Sequence, residues 1–219
     1  LLIFQPSPAD MGMTVEHVSF YVSLAAMAQT LVPSVTITWY GGSSTAAFQS
    51  AVLDLTSKVG QQYLVSNGRY LYVPEGVRME AGRVVVPLKE LVKAFDAKLS
   101  WDPADGTTSI TTGSGGIASG DSFYNQDDLF WLSRVVYAES GNQSLDGKIA
   151  VANVVLNRVK SPIFPNTIEG VLAQKNQFPT YGSGSLAKRT PNEGSIIAAK
   201  LAMDGAVVEE AAGALYFDS

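Results

Sequence analysis

The 219-residue chain has no cysteine and a single histidine, His17. The first absence excludes disulfides, a thiol nucleophile and thiolate metal sites. The second leaves any His-dependent triad or His-rich zinc centre with one residue to use. His17 is far in sequence from every other candidate group, so it reads as an ordinary surface or packed side chain. Charge is sparse as well: 16% of residues are charged and the net charge is −5. No basic stripe is available to neutralise phosphates, which argues against a nucleic-acid binder. The charge is not polarised either, with seven basic and nine acidic groups in 1–112 and eight and eleven in 113–219. No apolar run is long enough to span a membrane. The opening Leu1-Leu2-Ile3-Phe4 is too short for a signal-peptide core, and no export signal is visible.

What is present is the composition of a globular protein, 46% apolar and long enough for one large domain or two small ones. The stretch Thr111–Ser122 (TTGSGGIASGDS) is rich in Gly and Ser and reads as a flexible linker. Before it, the pattern is strand-like. Ala51–Leu55, Tyr63–Val65, Tyr70–Val73 and Val84–Val86 are short runs divided by turn residues such as Asn67-Gly68 and Glu75-Gly76. A helix follows at Pro87–Phe95, where Leu88, Leu91, Val92 and Phe95 share one face. Lys98–Trp101 and Thr107–Thr111 complete this part as strands.

An internal repeat shows within it. Val22–Met27 resembles Val86–Leu91, and Val35–Trp39 followed by Gly41-Gly42 resembles Leu99–Trp101 followed by a Gly turn. The expected division is a partial repeat at 1–50, a fuller one at 51–112, a linker at 113–122 and a separate domain at 123–219.

After the linker the pattern turns helical. Asn125 or Asp127 can cap a helix running to about Ser140. Ser144 can cap Leu145–Lys160, which Pro162 stops, and Thr167 can cap Ile168–Gln174. Glu193–Glu210 reads as a fourth helix and Ala214–Phe217 as a closing strand. In the first of these helices Leu132, Val136 and Glu139 fall at i, i+4 and i+7, which puts a carboxylate on an apolar face. Gly141 is a plausible helix terminator, which would leave Glu139 at the negative end of the helix dipole. Desolvation and dipole would both raise its pKa, as a general acid requires. The pattern equally allows Glu139 to point into water. In the second helix Asn153 and Asn157 interrupt an apolar surface, and buried Asn must be hydrogen-bonded. They would brace a neighbouring loop or the catalytic carboxylate. The loop Gln177–Arg189 is polar, glycine-rich and carries two aromatics. Sugars bind through hydrogen bonds and stacking, so Gln177, Phe178 and Tyr181 are cleft candidates, followed by Tyr137 and Tyr216. Core packing is the stronger reading for Phe178.

Two resemblances add to this. Asn67-Gly68-Arg69, Gly82–Leu91 and Trp101-Asp102 are similar to the stalk-type repeat of copper amine oxidase N-terminal domains, a non-catalytic spacer or wall-associated unit. It implies no copper here, with one His and no Cys to bind it. Val136–Gln143, Gly147–Val159, Ser161–Ile168, Asn176-Gln177-Phe178 and Ala214–Phe217 together resemble the SleB-type, spore-cortex-lytic cell wall hydrolases. That resemblance implies an α+β chain with a mainly helical, lysozyme-like catalytic domain after a mostly β stalk. It also implies cleavage of peptidoglycan glycan strands between N-acetylmuramic acid and N-acetylglucosamine, outside the cell at wall or spore, with no cofactor. The catalytic Glu of the family falls on Glu139, and Asn157 joins the substrate-binding candidates. Many relatives carry a second Glu where this chain has Gln143, and Arg-Gly where it has Gly141-Asn142. Asp146 is the nearest further carboxylate, but its place inside a helix start suits capping. A one-Glu lytic transglycosylase therefore fits better than a two-carboxylate hydrolase. A non-catalytic wall-binding or spore-coat protein that keeps the fold is the competing expectation.

Overall fold

The computed structural model describes residues 2–4, 21–104 and 106–217, and falls into two compact units, 1–120 and 121–219. His17 lies outside the described residues. Strands dominate the first unit and helices the second, so the α+β expectation holds.

In the first unit, β1 (Leu2–Phe4) is followed by β2 (Tyr21–Ser23), α1 (Leu24–Leu31), β3 (Thr36–Tyr40), β4 (Thr45–Gln49) and β5 (Asp54–Lys58). Then come β6 (Tyr63–Ser66), β7 (Arg69–Tyr72), β8 (Arg78–Glu80), β9 (Arg83–Pro87), α2 (Leu88–Ala94), β10 (Lys98–Asp102) and β11 (Thr107–Thr111). They form three antiparallel sheets, ordered β1-β11-β10, β2-β9-β8 and β3-β4-β5-β6-β7. Strand, helix and hairpin occur twice, as β2-α1-β3-β4 and β9-α2-β10-β11. The matching strands also pair with each other, with Val22 opposite Val86. Those two residues are equivalent in the sequence repeat, so the copies meet about a local pseudo-two-fold axis.

Two expectations about this region are corrected. A boundary at 50/51 would cut the β4–β5 hairpin, whose register runs from Thr45↔Lys58 to Gln49↔Asp54. Leu24, Met27 and Phe48 from the first copy share one buried cluster with Leu55, Leu91, Phe95 and Ile110, because neither copy alone has apolar surface on both sides of a core. The supposed linker is also no free tether up to Gly120. Ile117 is buried, its N–H donates to Ala94 O and its carbonyl accepts from Asn67 Nδ2 at 2.7 Å. Ser114 Oγ donates to Asp96 Oδ2 at 2.8 Å. A Cβ at Gly113 would come within 1.7 Å of Asp96 O, and one at Gly116 within 2.0 Å of Val52 O. Glycine stands there for close backbone approach, not for flexibility.

After the one-turn α3 (Gly120–Phe123), the second unit contains α4 (Gln126–Ser140), α5 (Leu145–Lys160), α6 (Ile168–Leu172), α7 (Pro179–Gly182) and α8 (Glu193–Met203). The expected caps are used. Asn125 Oδ1 accepts from Asp127 and Asp128 N–H, Ser144 Oγ from Gly147 N–H and Thr167 Oγ1 from Gly170 N–H. Helix α5 is the core element: Ile149, Val151, Ala152, Val154 and Val155 are buried, and it packs against α4, α6 and α8.

Two further expectations are corrected. Helix α8 ends at Met203 rather than Glu210, and only a short 3-10 turn, Glu209–Ala211, follows. Residues 214–217 form no strand. Side chains of helix α5 instead meet backbone groups along 206–215. Asn153 Nδ2 donates to Ala206 O at 2.7 Å, while its Oδ1 accepts from Val208 N–H at 3.1 Å. Asn157 Nδ2 donates to Ala211 O and Ala214 O, and Arg158 Nε to Leu215 O at 2.7 Å. With Ala214 O and Leu215 O met this way, these carbonyls need no partner strand.

Candidate active site

Glu139 stands one residue before the last of α4, beyond the buried Leu132, Val135 and Val136. Glu139 itself is exposed, so the apolar-face pattern ends one turn before it. The surrounding protein still removes enough water to raise the carboxyl above its ordinary pKa, and the nearby Arg189 charge pulls in the opposite direction. Gly141 terminates the helix in a right-handed conformation rather than the left-handed one common at helix ends. Its requirement is steric. A Cβ there would meet Tyr137 O at 2.6 Å and the Tyr137 ring at 3.0 Å.

The turn after Glu139 is held from several sides. Ser140 Oγ donates to Val136 O at 2.8 Å and Gln143 N–H to Ser140 O at 2.9 Å. Asn192 Nδ2 donates to Gly141 O at 3.1 Å, and the buried Lys148 Nζ donates to Gln143 O. Asp146 lies in the first turn of α5.

The other candidates separate by environment. Phe178 is 2% exposed and lies 5.6 Å from the Arg158 guanidinium, so it is a core residue and not a cleft wall. Tyr216 is 67% exposed on the same Arg158, at 5.4 Å. Arg158 therefore joins these two candidates, with Phe164 as a third ring at 5.3 Å. Burial lowers its pKa. Asn157 donates its amide N–H groups to the two carbonyls of the 211–214 segment, which is the loop-bracing role. Tyr181 packs on Trp131 at 5.2 Å and donates its hydroxyl to Glu169 Oε1 at 3.0 Å. Gln177 is exposed, and Tyr137 is half-buried with its ring alongside Gly141.

Sequence reasoning missed Arg189, Asn192, Arg158 and Trp131. Asn192 carries a readable signal, an N-cap residue followed by Glu193 and Ser195. Arg189 carries none, since its effect depends on a fold that returns residue 189 to residue 139. Among the described residues no group of His, Asp or Glu is arranged to hold a metal ion, and no helix is long and apolar enough to cross a membrane.

Residues 142–219 match the family model described as Cell Wall Hydrolase, a match that begins three residues after Glu139. Residues 6–113 match the model described as Copper amine oxidase N-terminal domain, over both copies of the strand–helix–hairpin unit. Among curated proteins, a spore cortex-lytic enzyme of Bacillus cereus is 41% identical over 70 residues, 32% of this chain and 27% of the relative. One from Bacillus subtilis is 34% identical over 70 residues, 32% of this chain and 23% of the relative. The chain thus spans about a quarter of the length of these relatives. Among solved structures, the catalytic domain of the germination-specific lytic transglycosylase SleB from Bacillus anthracis is 36% identical, covering 46% of this chain and 77% of that one, with a TM-score of 0.39. The C-terminal part of the chain is thus similar to cell wall hydrolases over residues 142–219, and the part before it to copper amine oxidase N-terminal domains over residues 6–113.

Proposed function

We propose that the C-terminal unit cleaves peptidoglycan glycan strands between N-acetylmuramic acid and N-acetylglucosamine, with Glu139 as the single acid/base. The observation that carries this is Glu139 itself. It is an accessible carboxyl at a helix end whose proton affinity is raised by lost water, in the unit that matches the cell wall hydrolase family. The names of the spore cortex-lytic relatives support the same substrate class and a place of action at wall or cortex.

In this mechanism protonated Glu139 donates to the glycosidic oxygen as the C1–O bond breaks. The carboxylate then takes the proton of the muramic 6-hydroxyl. That oxygen bonds to the anomeric carbon, giving a 1,6-anhydromuramic end with no water consumed. Glu139 finishes protonated and ready for the next cycle. The placement of Asp146 in a helix first turn, and an uncharged Gln143 in the turn after Glu139, supports a one-carboxylate route over paired-carboxylate hydrolysis.

The test is loss of turbidity of purified peptidoglycan with wild type and Glu139→Gln, followed by mass spectrometry of the released muropeptides. Wild type is expected to clear the suspension and leave anhydromuramic ends, and the variant to do neither. Equal rates would instead support a wall-binding protein that keeps the fold. Reducing muramic ends without anhydro sugar would keep the cleavage and overturn the route.

A further inference from the structure

We propose that Asn192 is a positioning residue for Glu139, an inference that rests on the reading of Glu139 as the acid/base. The last carbonyls of a helix have no partner within it and must find one elsewhere. At the end of α4, two side chains from other elements supply donors to the turn that follows Glu139. Asn192 serves Gly141 O and Lys148 serves Gln143 O. Glu139 is two residues before the first of these carbonyls, so its backbone cannot shift without disturbing that bond.

The Asn192 amide has a fixed orientation. Its Oδ1 accepts from Ser195 N–H at 2.9 Å and from Ser195 Oγ at 2.7 Å, which leaves only Nδ2 for Gly141. Ser195 is fully buried, so the clamp is anchored in the core through α8, which packs on both α4 and α5. The Lys148 stem runs alongside Gly194, Cε 3.7 Å from where a Cβ would stand, so both donors arrive from the same side. Arg189, the charge acting on Glu139, lies three residues earlier in the same segment. The stretch 189–192 thus brings both the charge facing the carboxyl and the bond holding its helix end.

The discriminating variant is Asn192→Ser. Serine is also a good N-cap and can keep the bond from residue 195, but its short hydroxyl lacks the amide's separate Nδ2 arm that reaches Gly141 O. Full-length protein is assayed on purified peptidoglycan, with released muropeptides counted over a range of substrate concentrations. The expected result is a fall in kcat of about tenfold, within the range misplacement of a reacting group produces. The apparent KM should stay within about twofold, since uniform binding is untouched. The melting temperature should remain near that of wild type. Asn192→Ala, which also loses the cap, should melt lower. Wild-type kcat in Asn192→Ser, or a loss no larger than its unfolded fraction by circular dichroism, would overturn the proposal. Glu139→Gln in the same assay separates the two claims. If it stays active, the acid/base reading fails. If it is inactive while Asn192→Ser is not, only the positioning role fails.

Discussion

A general acid works in its protonated form, so turnover by Glu139 should decline as pH rises through its pKa. Lost water raises that pKa and Arg189 lowers it. Arg189→Ala removes the lowering charge and should carry the alkaline limb of the kcat/KM profile to higher pH. A limb that stays in place would mean Arg189 does not act on the carboxyl. The same shift has a stability counterpart. A carboxyl whose pKa is higher folded than unfolded favours the native state below its unfolded pKa, and that contribution is lost as pH rises through the folded one. Glu139→Gln should therefore melt slightly above wild type at neutral pH, with the gain vanishing toward about pH 4. Thermal scans across pH read this directly. The carboxyl is too exposed for more than a small effect.

The helices of the second unit show which elements local chemistry announces. Ser144 and Lys160 bound α5 where the cap and Pro162 place them, because capping side chains bond to backbone two or three residues away. The C-terminal segment was not legible in this way. Ala214–Phe217 has strand composition, yet it is held by Asn157 and Arg158 from a helix more than fifty residues earlier. Local propensity cannot see a partner at that separation. Asn153→Ala leaves buried Ala206 O and Val208 N–H unpaired, and should cost about 2 kcal/mol of unfolding free energy in urea titration. Gly141 was read correctly as a helix stop but for the wrong reason. Since a Cβ there meets Tyr137 O at 2.6 Å, Gly141→Ala should displace the end of α4 and depress turnover by more than it depresses the melting temperature. Assaying activity and melting on one sample checks this.

For the whole molecule, the change from strands to helices and the internal repeat were both visible, because each is a statement about periodicity. The sharing of one core between the copies was not, since a repeat pattern does not reveal whether its copies are separate. Their interlocking gives a prediction: a fragment spanning 51–120 loses β3, β4 and α1 with Leu24, Met27 and Phe48. It should show a disordered circular dichroism spectrum and no cooperative melt. The side-chain ladder along α5 has a further consequence for how the second unit is made. Its buried Asn153 and Arg158 find their partners 53 and 57 residues later. During synthesis these groups wait unpaired on a helix already made, and the unit reaches its native state only after residues 206–215 leave the ribosome. Emergence of residues 206–215, rather than appearance of the helix bearing Glu139, is then the event that switches this unit from nascent polypeptide to ordered domain.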